Sequence, residues 1–319
     1  MLRSLAIRLV SSVGVFLIIA VGLFVLVRLA PGDPAETLVP IDAAPGQREE
    51  LVKAAREQLG LDKPVPVQFV LWFGSLLKGD LGYSFSTHQA VGQLLLDRLG
   101  PTVLLMGSAL VLGLLIAIPV GIIAAVRRDT FVDAAAGTVS VIALAIPSFF
   151  LAMLGIYVFA VKLRVLPSAG MYFSGESDVG DLLYHLILPV SVLALAVAAA
   201  FTRYIRSGML EQLGQDYIRA IVAKGAGPFR ATMHAFRNSL IPLVTVLALY
   251  IPAFLSGAVV VEQIFSWPGM GQMAVNALIV RDYPVITGFG LYVAVLVLIC
   301  NLLADVLYTV VDPRVRTAR

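Results

Sequence analysis

The stretch LGPTVLLMGSALVLGLLIAIPVGIIAAV, residues 99–126, decides the fold. No charged side chain occurs between Arg98 and Arg127. At 1.5 Å per residue the run exceeds the roughly 20 helical residues that cross a hydrocarbon core. It is apolar all round, so it lacks the polar face of a helix on a soluble core. Barrel strands are short and alternate in polarity, which this run does not. A helix also satisfies its own backbone donors and acceptors, as lipid requires.

Five further runs share this character, at 9–27, 134–161, 182–202, 238–261 and 284–304. The fold class is therefore all-α integral membrane, with six transmembrane helices. Composition agrees: 59% of residues are hydrophobic and 13% charged, with mean hydropathy +0.93. A soluble domain carries about 25% charged residues. The basic pI of about 9.0 reflects Lys and Arg at helix ends, which argues against nucleic acid as a partner. Arg3 and Arg8 give the first run a signal-like start. Its length, and Pro31 directly after Ala30, make it an uncleaved anchor.

Basic residues orient the spans. With both termini inside, thirteen of the 23 Lys and Arg fall in short cytoplasmic pieces, including Arg127, Arg128, Arg203, Arg206, Arg219, Lys224, Arg230 and Arg237. Most of the others lie in the long outer stretch after the first run, where the positive-inside rule counts for little. The expected plan is an anchor helix at 1–30 and an extracytoplasmic helical domain at 31–97. A transmembrane domain of five helices follows at 98–312, with a cytoplasmic loop at 203–237, then a cytoplasmic tail at 313–319. Amphipathic stretches at 49–59 and 67–77 make the outer domain a small helical cap, with Trp72 and Phe73 packed inside it.

Catalytic groups are not visible. His88, His185 and His234 fall in three different compartments, and none sits near another at metal-ligand spacing. No metal site is expected, and His185 reads as a packing or interfacial residue. Cys300, the single cysteine, reads as a small packing residue. Lys224-Gly225 is not embedded in a phosphate-binding loop, so any ATP is bound by another chain. An ion-coupled secondary transporter needs ionisable groups at mid-membrane, and the spans are nearly free of them. Asn301, Asp305, Tyr308 and Asp312, spaced 4, 3 and 4, make a polar seam on the last helix.

The most basic piece, 203–237, contains a short amphipathic helix at 216–225. Asp216 can cap its start and Gly225 can end it. Tyr217, Ile218, Ile221 and Val222 share one face, away from Arg219 and Lys224. Such a helix lies on lipid headgroups or offers its apolar face to a partner's groove.

Between these two uses a resemblance decides. Arg203-Tyr204-Ile205-Arg206-Ser207, Gly214-Gln215-Asp216-Tyr217-Ile218-Arg219, Ala223-Lys224-Gly225 and the stretch from His234 to Pro242 resemble the cytoplasmic loop of binding-protein-dependent ABC importer permeases of the peptide type. Arg219 and Ile221 depart from the usual Glu-Ala-Ala…Gly pattern, while Ala220 and Gly225 keep it. Leu29-Ala30-Pro31-Gly32-Asp33-Pro34, Leu59-Gly60-Leu61-Asp62, Gly79-Asp80-Leu81-Gly82-Tyr83-Ser84 and Pro101-Thr102 are similar to the first, DppB/OppB-type permease. So are Glu262-Gln263-Ile264-Phe265-Ser266-Trp267-Pro268-Gly269-Met270-Gly271 and Arg281-Asp282-Tyr283-Pro284.

The resemblance implies a type I ABC importer permease fold in a bacterial or archaeal cell membrane (the inner one in a Gram-negative cell). It implies a second permease as heterodimer partner, two ABC ATPases carrying ATP and Mg, an extracytoplasmic binding protein and membrane lipid. This chain itself binds no cofactor and is no enzyme. Asp216, Tyr217, Ile218, Arg219, Ala220, Ile221, Ala223, Lys224 and Gly225 would form the ATPase-coupling helix. Glu262, Phe265, Trp267, Pro268, Gly269 and Gly271 would form a gate or outer loop, against the plainer reading of Trp267 as an interfacial anchor. The expected cargo is di- or oligopeptide, with nickel chelates, glutathione, opines or sugars as alternatives on the same machinery. Ion-coupled transport is the remaining alternative.

Overall fold

The structure, a computed structural model, describes residues 2–29, 33–37, 39, 44–173 and 178–311. Twelve α-helices occur among them: α1 (Leu2–Leu29), α2 (Pro34–Thr37), α3 (Pro45–Gln58), α4 (Val65–Leu77), α5 (Val91–Val126), α6 (Phe131–Ala145), α7 (Ser148–Gly155), α8 (Val179–Leu213), α9 (Asp216–Ala223), α10 (Pro228–Ile264), α11 (Met270–Val280) and α12 (Tyr283–Val311). A π-helical stretch, Ile156–Lys162, continues α7. Cα packing divides the chain into two units: Met1–Gly100 with Met273–Leu298, and Pro101–Gln272 with Ile299–Arg319.

Among the described residues four helices are long and apolar enough to cross a membrane: Val10–Leu29, Val91–Val126, Val179–Leu213 and Tyr283–Ala304. Two bent pairs raise this to as many as six if each is one span. The sharper bend, 93°, separates Phe131–Ala145 from Ser148–Lys162. Its cause is Pro147. The ring disfavours helical ψ in the preceding residue, and Ile146 stands at φ −82°, ψ 123°. The apolar run at 134–161 is thus continuous in sequence but broken in space.

In the first unit, α4 packs on α1 through aromatic rings. Phe24 meets Phe69 edge-on at 5.3 Å and Trp72 at 5.6 Å, while Phe73 stacks on Phe69 at 5.6 Å. Trp72 is half-buried against the first helix, not enclosed within the cap alone.

The second unit is built around α8, which packs against α6, α7 and α10. One side of α8 is apolar and buried, through Leu193, Val197, Phe201, Ile205 and Met209. α5 approaches it closely: a Cβ at Gly113 would fall 2.5 Å from Val197 Cβ, and one at Gly121 2.8 Å from Ile205 Cβ. Without a hydrophobic drive in lipid, such close backbone approach is a main source of helix association.

α8 continues past the predicted end at residue 202 to Leu213, and α10 begins at Pro228 instead of 238. The loop expected at 203–237 is therefore mostly helix, interrupted only at 214–215 and 224–227. Leaving an apolar stretch does not end a helix. Glu211 and Gln212 are good helix formers, so the helix runs on to Leu213.

Candidate functional site

Two arrangements in the second unit hold most of the predicted site residues. The first is α9, linked to α8 by Gly214 and Gln215. The predicted helix is there, but Asp216 is its first helical residue and not its cap. Gln215 holds the cap position, at φ −78° and ψ 149°, without a side-chain bond. Two adjacent polar residues leave a cap position ambiguous by one in sequence.

The other end matches the expectation closely. Gly225 has φ +87°, a conformation that costs an L-residue energy. Its N–H donates to Val222 O (2.9 Å), and that of Ala226 donates to Ile221 O (3.2 Å). These are the paired bonds of a Schellman cap. Gly227 then caps α10, with Pro228 in its first turn.

Ile218 is buried, Tyr217 and Ile221 half-buried, and the Tyr217 hydroxyl donates to Gln212 Oε1 at 3.0 Å. Val222, expected on the same face, is 51% exposed instead. Arg219, Ala220, Ala223 and Lys224 are also exposed. Arg219 and Asp216 pair at 3.5 Å in solvent, at 78% and 95% exposure, where such pairs contribute little. The seated face therefore holds α9 in place, and the opposite face is free.

The second arrangement surrounds Glu262, near the end of α10. This carboxylate is fully buried. Its Oε1 accepts from the Thr102 hydroxyl (2.7 Å), and its Oε2 accepts from the N–H groups of Gly271 (2.7 Å) and Gln272 (3.1 Å). The latter two lie in the first turn of α11, where free N–H groups and the helix dipole favour an anion. Thr102 Oγ1 in turn accepts from Met270 N–H at 2.9 Å.

A Cβ on Gly269 would lie 2.2 Å from Glu262 Cδ, and one on Gly271 would lie 2.7 Å from Val259 Cα. The two glycines leave the space that the carboxylate and backbone fill. Trp267 is fully buried and donates from Nε1 to Pro101 O at 2.9 Å. Complete burial rules out its reading as an interfacial anchor facing lipid and water. Phe265 is buried and its carbonyl accepts from Gly170 N–H at 2.7 Å. Pro268 is half-buried. The six residues thus form a packed, hydrogen-bonded turn.

Other predicted features divide. Asn301 is exposed on α12. The side chains of Asp305 and Tyr308, and all of Asp312, lie outside the described residues. Cys300 is buried and unbridged. His185 is buried among Phe173 (4.6 Å between rings) and Tyr184, with Nδ1 2.9 Å from Asp181 O and 3.0 Å from Asp181 Oδ1. No group of three metal-ligating side chains occurs among the described residues.

Three pairings lie beyond the reach of sequence reasoning. Thr102 stands out in the sequence only beside Pro101, with nothing to name its partner. Arg206 makes a two-pronged ion pair with Asp133 of α6, one prong at 2.8 Å. In the first unit, Asp282 accepts from the hydroxyls of Ser84 (2.5 Å) and Ser86 (2.8 Å) and from the N–H groups of Phe85 (3.1 Å) and Ser86 (3.2 Å). Burial pushes the Asp282 carboxyl upward, but these bonds outweigh it and hold it below its ordinary value. A charge stranded at a span edge is the one available signal for each.

Residues 117–317 match the family described as "Binding-protein-dependent transport system inner membrane component". Residues 1–106 match its N-terminal companion, "Binding-prot-dependent transport system membrane comp, N-term". A Brucella suis biovar 1 protein named as a peptide permease is 41% identical over 319 residues, 99% of each chain. The oligopeptide transport system permease protein AppB of Bacillus subtilis is 41% identical over 311 residues, 97% of each. A chain of the MetNI methionine ABC transporter, in inward-facing conformations, aligns with TM-score 0.53 at 18% identity, over 69% of this chain and 97% of that one. The chain belongs to the family of binding-protein-dependent transport system inner membrane components and has the type I ABC importer permease fold.

Proposed function

We propose that the chain is a permease subunit of an ATP-binding cassette importer of the OppB/DppB type, passing di- or oligopeptides from an extracytoplasmic binding protein. The observation that carries the cargo is identity of 41% over 99% of both chains with a protein named as a peptide permease. Its partners are a second permease in a heterodimer and two ATPases that bind ATP and Mg. It sits in the cell membrane, the inner one in a Gram-negative cell, with both termini cytoplasmic. Residues 31–97 form an extracytoplasmic domain.

In this reading α9 docks on an ATPase. Its Schellman cap and seated Tyr217, Ile218 and Ile221 support that role, because a lever transmits force only if it keeps its shape. The exposed residues Arg219, Ala220, Val222, Ala223 and Lys224 would meet the partner. The turn at Glu262–Gly271, at the other end of α10, would form the gate or outer loop.

The test is reconstitution of the whole importer in proteoliposomes with its binding protein. ATP-dependent uptake of radiolabelled trialanine is the expected result. Uptake of a nickel chelate, glutathione, an opine or a sugar in its place would replace the cargo and keep the machinery. Uptake driven by a proton gradient without ATP would overturn the reading.

A further inference from the structure

We propose that the Asp133–Arg206 pair is a positioning element that carries movement of α9 into the broken span α6–α7. This role rests on α9 being the docking helix, as just proposed.

α8 is a continuous helix from Val179 to Leu213 and ends two residues before α9. Arg206 lies within its last two turns or so. Its guanidinium is one-third exposed, yet grips a carboxylate that is only 8% exposed. The grip is bidentate: Nε meets Oδ1, and Nη2 meets Oδ2 at 2.8 Å. Oδ2 also accepts from Asp129 N–H at 3.1 Å, tying the turn that precedes α6 to the same carboxylate. A planar guanidinium on two carboxylate oxygens fixes direction as well as distance.

Asp133 stands in the first turn of α6, the opposite end from the 93° break at Ile146–Pro147. The pair therefore fastens one end of a bent two-piece span to the shaft bearing α9. α5 meets the same stretch of α8 through apolar contact, with Gly121 against Ile205. Close packing against α5 fixes distance, and the two-pronged ion pair adds a fixed direction. A turn or tilt of α8 then moves the start of α6, and the angle at Pro147 absorbs or passes on the difference.

The test uses the assembled importer with Cys300→Ser. A spin label at Val222→Cys, on the exposed face of α9, reports docking by its loss of mobility when the ATPases are added. A second variant, labelled at Met153→Cys (α7) and Leu195→Cys (α8), reports the distance between them before and after ATP plus vanadate. In the otherwise unaltered chain, Val222→Cys is immobilised and the 153–195 distance shifts.

Asp133→Asn is expected to leave docking intact and to reduce the 153–195 shift by at least half. The exchange Asp133→Arg with Arg206→Asp is expected to restore it, which a folding defect would not. A full 153–195 shift in Asp133→Asn, or no recovery in the exchange, overturns the inference while leaving docking standing. Failure of Val222→Cys to be immobilised in the unaltered chain overturns the docking reading itself, and this inference with it.

Discussion

Thr102 and Glu262 lie 160 positions apart in sequence, yet their side chains meet in a 2.7 Å hydrogen bond that solvent does not reach. The threonine hydroxyl both donates to the carboxylate and accepts from Met270 N–H. Its one oxygen joins α5, the end of α10 and the start of α11. Replacing it with Val keeps the shape and deletes both bonds. Leaving buried groups unpaired costs about 1–3 kcal/mol, so Thr102→Val is expected to lower the unfolding midpoint in detergent, whereas Thr102→Ser retains most of it.

Gly269 and Gly74 offer a matched comparison. A Cβ at Gly269 would overlap Glu262, whereas one at Gly74 meets nothing within 4 Å. Glu262 cannot yield, because three donors hold it. Gly269→Ala is expected to destabilise by roughly 1–3 kcal/mol, as overpacking does. Gly74→Ala, inside α4, should be neutral or stabilising by up to about 1 kcal/mol. Melting curves of the two purified variants check both signs.

At Gly225 the objection is conformational, since a Cβ there meets nothing within 4 Å. Its φ of +87° costs an ordinary L-residue about 1–2 kcal/mol. Gly225→Val should therefore fray the end of α9 and weaken transport more than it weakens expression. Gly225→Asn should fall between the two, because Asn tolerates the left-handed region better. ATP-driven uptake per mole of assembled complex is the measurement.

Asp282 predicts a pH dependence. Its folded-state pKa lies below that of the unfolded chain, which is about 3.9 for an aspartate. The stabilisation it supplies is therefore fully present above the unfolded value and lost as pH falls through the folded one. The midpoint difference between the unaltered protein and Asp282→Asn should be constant from pH 7 to about pH 5 and shrink in more acid solution. An equal difference at every pH would refute the assignment.

The apolar runs are legible because each is set by local composition, and every predicted run has a helical counterpart. What composition does not show is how a run bends. Pro147 stands in plain view, but a proline inside a span can kink it slightly or break it, and neighbours decide which. α11 escapes notice because Met270–Val280 is too short to read as a span and too apolar to read as a loop. Glu262 comes forward only through resemblance. Its partner Thr102, like Ser84 for Asp282, sits too far along the chain for any periodicity to link the two. The end of α9 is readable because a positive φ calls for glycine at one position, whereas its start admits either Gln215 or Asp216.

The division of α9 into a seated and a free face has an evolutionary consequence. Tyr217, Ile218 and Ile221 answer to this chain's own core, so a change there is judged by folding. Arg219, Ala220, Val222 and Ala223 touch little of it and can be rewritten without unseating the helix. On the proposed docking role, related permeases would diverge in which ATPase they accept by altering a few outward residues, while the mount that carries them stays the same.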